Sequence, residues 1–111
     1  MGIFSKKDNR EFARVDREYM VSYAPKKSSS SNNSLTKNIS ANGVLIEAKE
    51  PLPLNSILYL TLNLPRYGEV ILEGQVVWCK KQEDKYHAGI GFFNIDKENQ
   101  DLILKALSEK H

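Results

Sequence analysis

Apolar and polar residues alternate along most of this chain, and the breaks in the alternation divide it into strands. Val15, Arg17, Tyr19, Val21 and Tyr23 share one parity and Asp16, Glu18 and Ser22 the other, so a strand starts at Val15 and ends at Pro25. "KKSSSSNNS" has too few apolar groups to pack and reads as a flexible loop. "VLIEA", from Val44, is a second strand. "PLPLN" breaks the pattern, because neither proline can donate to a sheet ladder. "ILYLTLNL" sends Leu58, Leu60, Leu62 and Leu64 one way and Tyr59, Thr61 and Asn63 the other. "PRYG" turns the chain. "EVILEGQVVW" sets Val70, Leu72, Gly74, Val76 and Trp78 against Glu69, Glu73 and Gln75. After a turn at "KKQEDK", "YHAGIGFF" places Tyr86, Ala88, Ile90 and Phe92 on one face.

The period then changes. In "DKENQDLILKALSEKH", Asn99, Leu102, Ile103, Ala106 and Leu107 recur at helical spacing. Asp96 suits the N-cap, and Lys105 and Lys110 suit the C-terminal half. The expected architecture is mainly β, with several antiparallel strands that each bury one face, and one C-terminal helix. That describes a small barrel or sandwich with the helix over an open end or flank.

Length and composition narrow the class. The 111 residues suit one domain, with 41% hydrophobic and 27% charged residues as in ordinary globular proteins. No apolar run approaches the roughly 18 residues of a membrane span. "MGIFSKK" lacks the apolar stretch of a secretory signal, and Lys6 stands where a myristoylation site needs Ser or Thr. Cys79 is the only cysteine, which excludes an internal disulfide and a cysteine-based zinc cluster. These features favour the cytoplasm. Net charge is only +2, but Lys6, Lys7, Arg10, Arg14, Arg17, Lys26, Lys27 and Lys37 crowd the first third, and Asp8, Glu11, Asp16 and Glu18 offset only half of them. Surface charge alone accounts for such a cluster in most proteins, yet an anionic partner also fits.

Two short stretches carry candidate chemistry. Residues 1–14 lack periodicity and read as an arm, and "REFAR" within it holds Arg10 and Arg14. A guanidinium is permanently charged and planar; it grips phosphate, pairs with guanine O6 and N7, or lies on a purine ring. "NISANG" holds Asn38, Ser40 and Gly43 just before a strand. Asn38 offers a carboxamide for a base edge, Ser40 a hydroxyl for phosphate or base, and Gly43 allows close backbone approach or a positive φ. Each stretch alone is matched by a plain surface pair or a plain turn. Both together, in this order and in a strand-rich chain, are far less common.

RxxxR followed by [D/N]xSxxG resembles the signature of PilZ domains, bacterial receptors for cyclic di-GMP. The resemblance extends over nearly the whole chain, because "VVW" (Val76–Trp78) and "YHAGIGF" (Tyr86–Phe92) look like later strands of that family. It implies a six-stranded antiparallel PilZ-type β-barrel followed by a C-terminal α-helix. The arm would occupy 1–14 and the barrel domain 15–111, with the helix at about 96–110. It implies that Arg10, Arg14, Asn38, Ser40 and Gly43 contact the guanines and phosphates of cyclic di-GMP. It also implies a stand-alone receptor or adaptor that signals to a downstream protein the sequence does not identify. Asn38 stands where Asp is common, and Asn9 where many members carry another arginine or a bulky residue.

The remaining candidates are plainer. His87 and His111 lack the paired ligands a metal needs, so no metal and no cofactor beyond the ligand is expected. Cys79 has no neighbouring histidine and reads as structural or idle. "GIG" at 89–91 lies in a strand and completes no phosphate loop. Trp78 reads as core or barrel rim rather than a stacking platform. No catalytic arrangement stands out, so a binding module is expected and not an enzyme. Two rivals remain: a PilZ-like protein-interaction module without ligand binding, and a small barrel for single-stranded nucleic acid. Against the second, the cations concentrate on the arm and not along a strand face, so no nucleic acid is expected.

Overall fold

The computed structural model describes residues 15–26 and 31–108; the arm at 1–14, loop residues 27–30 and residues 109–111 lie outside the described residues. Six strands follow one another: β1 (Met20–Pro25), β2 (Asn32–Ser40), β3 (Gly43–Ala48), β4 (Ile57–Leu64), β5 (Gly68–Gln82) and β6 (Lys85–Phe93). One helix, α1 (Lys97–Ser108), comes last. The strands close into a barrel in the order β1-β2-β3-β6-β5-β4. Every pairing is antiparallel. Closure leaves no free sheet edge, which is how a small all-β domain avoids pairing with other chains. The mainly-β six-stranded barrel with a C-terminal helix is the expected one.

The alternation explains the core. Leu58, Leu60, Leu62 and Leu64 of β4, with Val70, Leu72 and Val76 of β5, point inward and are buried. Val44 and Ile46 of β3, and Ala88 and Ile90 of β6, face them. Gly74 is inward too. A Cβ there would stand 2.5 Å from Ile90 Cγ2 and 3.1 Å from Leu60 Cδ1. Gly74→Ala is therefore expected to destabilise the protein by about 1–2 kcal/mol through overpacking, as a thermal or urea melt would register. An unchanged midpoint would mean that the core has slack at this point.

The helix is capped as expected: Asn99 N donates to Asp96 Oδ1 at 2.8 Å. Its apolar stripe puts Ile103 and Ala106 into the barrel core. Tyr19 Oη donates to the Ala106 carbonyl at 3.4 Å. Gln100 Nε2 donates to the Ala41 carbonyl at 3.5 Å, which ties α1 to the turn between β2 and β3.

The structure corrects three expectations. The strand expected from Val15 is broken: Val15 forms only an isolated bridge, and regular pairing starts at Met20. Between them, Thr36 Oγ1 accepts from Tyr19 N at 2.9 Å and donates to the Arg17 carbonyl, so a side chain replaces the ladder. Second, "KKSSSSNNS" is not loop to its end, because β2 begins at Asn32, and "NISANG" is largely strand. Polar Asn32 to Ser34 pair with β1 through their backbones, which apolar counting does not detect. Third, β5 extends through Gln82, so the expected turn shrinks to Glu83–Asp84.

Candidate functional site

The segment Asn38–Gly43 forms the end of β2, a two-residue turn and the start of β3. Ser40 pairs with Gly43, so Ala41 and Asn42 make the turn. Tight hairpins usually need positive φ at the turn centre. Here neither Ala41 nor Asn42 has it, and Gly68 is the only described glycine that does. The positive φ considered for Gly43 is thus not found. Side chains hold the turn instead. Ser40 Oγ donates to Asn42 Oδ1 at 2.5 Å and accepts from Asn42 N at 3.3 Å. Ser40 is fully buried, so in this structure its hydroxyl organises the turn. From beneath, Phe92 N donates to the Asn42 carbonyl at 3.0 Å. The turn is fixed from three sides, by its own serine, by β6 and by α1.

Asn38 lies on the outer parity of β2, opposite Leu45, while Ile39 faces the core. Its Oδ1 is shut off from solvent and accepts no hydrogen bond. A buried unpaired acceptor costs about 1–3 kcal/mol, so it marks a place where a donor from a ligand or another segment would be welcome.

Arg10 and Arg14 lie outside the described residues. The point where their segment joins the barrel is described. Val15 N donates to the Ile39 carbonyl at 2.9 Å, and Ile39 N donates to the Val15 carbonyl at 3.0 Å. Ile39 is the residue between Asn38 and Ser40. The chain carrying RxxxR therefore enters the fold beside NxSxxG, although the two are far apart in sequence.

A polar cluster flanks this place. Lys37, at a bulge in β2, reaches Glu47 Oε2 at 3.7 Å and Glu18 Oε2 at 3.8 Å. Lys85 Nζ lies 3.5 Å from Glu47 Oε1, and His87 Nε2 lies 3.4 Å from Glu47 Oε2. Burial would raise the Glu47 pKa, but Lys37, His87 and Lys85 outweigh it and hold the carboxyl below its usual range. A lowered pKa contributes stability above the unfolded-state value and loses it as pH falls through the folded one. Wild type should thus exceed Glu47→Gln by about 0.5 kcal/mol near neutrality, and the gap should close below roughly pH 4. Paired melts across that range check this; a gap that persists in acid would contradict it.

Trp78 departs from its expected place. A bulge between Val76 and Trp78 shifts the register of β5 against β6, and the indole lies outside the barrel over Gly89. Strand alternation cannot foresee a bulge; a glycine within a strand was the available hint of close approach. A separate pocket of ≈ 300 Å³ lies by the start of α1, lined by residues including Tyr59, Ile71, Glu73 and Asp96. Its carboxylates are already engaged: Asp96 caps α1, and Glu73 pairs with Lys26 at 3.8 Å. Among the described residues, no group of three His, Cys, Asp or Glu could hold a metal ion. No described helix is long and apolar enough to cross a membrane.

A closed six-stranded barrel with this helix and this turn is the fold of one family. Residues 8–109 match the profile of the PilZ domain, and the chain belongs to that family. The PilZ domain of YcgR from Escherichia coli, solved with c-di-GMP, superposes with a TM-score of 0.72 at 11% identity, covering 88% of each chain. The Bacillus subtilis inhibitor of motility MotI/DgrA gives 0.75 at 21% identity over 86% of this chain, which spans only 48% of that protein. The K. pneumonia MrkH complex with c-di-GMP gives 0.74 at 22% identity, covering 88% of this chain and 50% of that one. These likenesses establish the fold. No curated protein sequence matches the chain significantly.

Proposed function

We propose that the protein is a cyclic di-GMP receptor that acts as a binding module rather than an enzyme. In this reading Arg10 and Arg14 close from the arm (1–14) over a ligand seated on the barrel domain (15–111). Asn38 supplies an unpaired acceptor to a donor edge such as guanine N1–H and N2–H, Ser40 shapes the turn, and Gly43 keeps the surface low. The observation that carries the reading is the double hydrogen bond between Val15 and Ile39, which joins the RxxxR segment to NxSxxG. Family membership and the cyclic di-GMP complexes of YcgR and MrkH support it. The ligand-bound form would act in the cytoplasm on a downstream protein.

Calorimetric titration with cyclic di-GMP, cyclic di-AMP, GTP and a single-stranded oligonucleotide tests it. Binding of cyclic di-GMP alone is expected, weakening as salt rises because the contacts are charge-assisted. Preference for the oligonucleotide would overturn the reading, and no binding to any of the four would point to a protein-interaction module.

A further inference from the structure

The outer surface beside the β2–β3 turn is floored by glycine. Gly43 pairs with Gly91, and one row further along the sheet Leu45 pairs with Gly89. Side chains at these positions would stand out from the barrel. Across Gly89 lies the chain's single tryptophan. A Cβ on Gly89 would stand 2.3 Å from Trp78 Nε1, 2.7 Å from Cε2 and 2.8 Å from Cδ1. The two ring neighbours are almost as close as Nε1 itself, whereas an edge-on contact would leave them much farther away. The face of the indole therefore covers Gly89, and the ring lies roughly parallel to the sheet. Its opposite face turns away from the barrel, and Trp78 is only half-buried.

The position of the ring gives this meaning. Asn38, Leu45, Gly89 and Trp78 are successive partners in one row across β2, β3, β6 and β5. Neighbouring strands are about 4.8 Å apart, so the ring over Gly89 lies about 10 Å from Asn38. On one side, the next row is Ser40, Gly43, Gly91 and Gln75, with the turn at its end. On the other are Glu47, His87 and Lys80, with Lys37 nearby. A flat aromatic surface, a low floor and nearby cations suit a planar base attached to a phosphate. A tryptophan needed only for the core would point inward, as the parity of β5 predicted; the bulge turns it out.

We propose that Trp78 is the stacking platform for one guanine of a cyclic dinucleotide held at the β2–β3 turn. This rests on the receptor reading above and adds the residue that would favour a purine.

Because the chain has one tryptophan, the full-length protein reports on its own platform. Cyclic di-GMP is titrated while Trp78 emission, corrected for ligand absorption, and binding heat are followed in parallel. Emission should be quenched along the same isotherm as the heat. Trp78→Leu should bind about tenfold or more weakly, and Trp78→Phe should keep most of the affinity. Heat with unchanged emission overturns the platform and leaves the receptor standing; so does wild-type affinity in a folded Trp78→Leu. An absence of heat from cyclic di-GMP removes the receptor reading and the platform with it. The wild-type emission needs no variant, so the proposal stays open to failure even if Trp78→Leu does not fold.

Discussion

Arg14→Ala is expected to weaken cyclic di-GMP binding by about thirtyfold, roughly 2 kcal/mol, while the melt of the ligand-free protein stays within about 0.5 kcal/mol of wild type. The loss follows from removing a charge-assisted and potentially bidentate contact to a dinucleotide with two phosphates. The unchanged melt follows from the sequence pattern, in which neither arginine belongs to the alternating core set. Arg10→Ala should behave alike, and the double variant should lose less than the sum if both arginines grip one ligand. Calorimetry gives the first quantity and a thermal melt of the free protein the second. Intact binding would remove Arg14 from the site. A collapsed melt would make it structural.

The division between legible and hidden features has a physical origin. Alternation reports which residues face a core, so β4, most of β5, β6 and the stripe of α1 could be read from the leucines, valines and Ile103. It fails where the backbone, rather than apolar side chains, holds the chain. The first half of β2 is polar and is recruited by pairing with β1. Its centre is joined to Arg17 and Tyr19 through the Thr36 hydroxyl. Bulges hide from the same logic, since one extra residue inverts the facing of everything after it. That is why Trp78 was assigned to the inner set and stands outside.

The candidate site divides along similar lines. The residue types of NxSxxG could be read for chemistry, but Ser40 cannot be seen in sequence to be buried and engaged with Asn42. The distance between RxxxR and NxSxxG along the chain gives no hint of the bridge from Val15 to Ile39. A long-range backbone pair leaves no local signature. Only the fold joins the stretches.

Ile103→Ala should produce the complementary phenotype, with stability lost first and binding lost as a consequence. Ile103 is fully buried, and its side chain fills the core between α1 and the barrel. Truncating such a residue removes transfer energy and leaves a cavity, costing about 3 kcal/mol within a range of roughly 2–5. In a domain of this size, that lowers Tm by on the order of 10–20 °C. The same helix holds the ligand turn, because Gln100 donates to the Ala41 carbonyl. A loosened α1 therefore relaxes the turn, and cyclic di-GMP affinity should fall even at temperatures where the variant remains folded. Gln100→Ala separates the two effects. It deletes only the 3.5 Å bond, so Tm should shift by no more than about 0.5 kcal/mol in stability terms, with a smaller loss of affinity. Melts and titrations of both variants make the comparison. If Ile103→Ala melts like wild type, α1 does not belong to the cooperative core. If it melts early yet binds normally while folded, the turn does not depend on the helix.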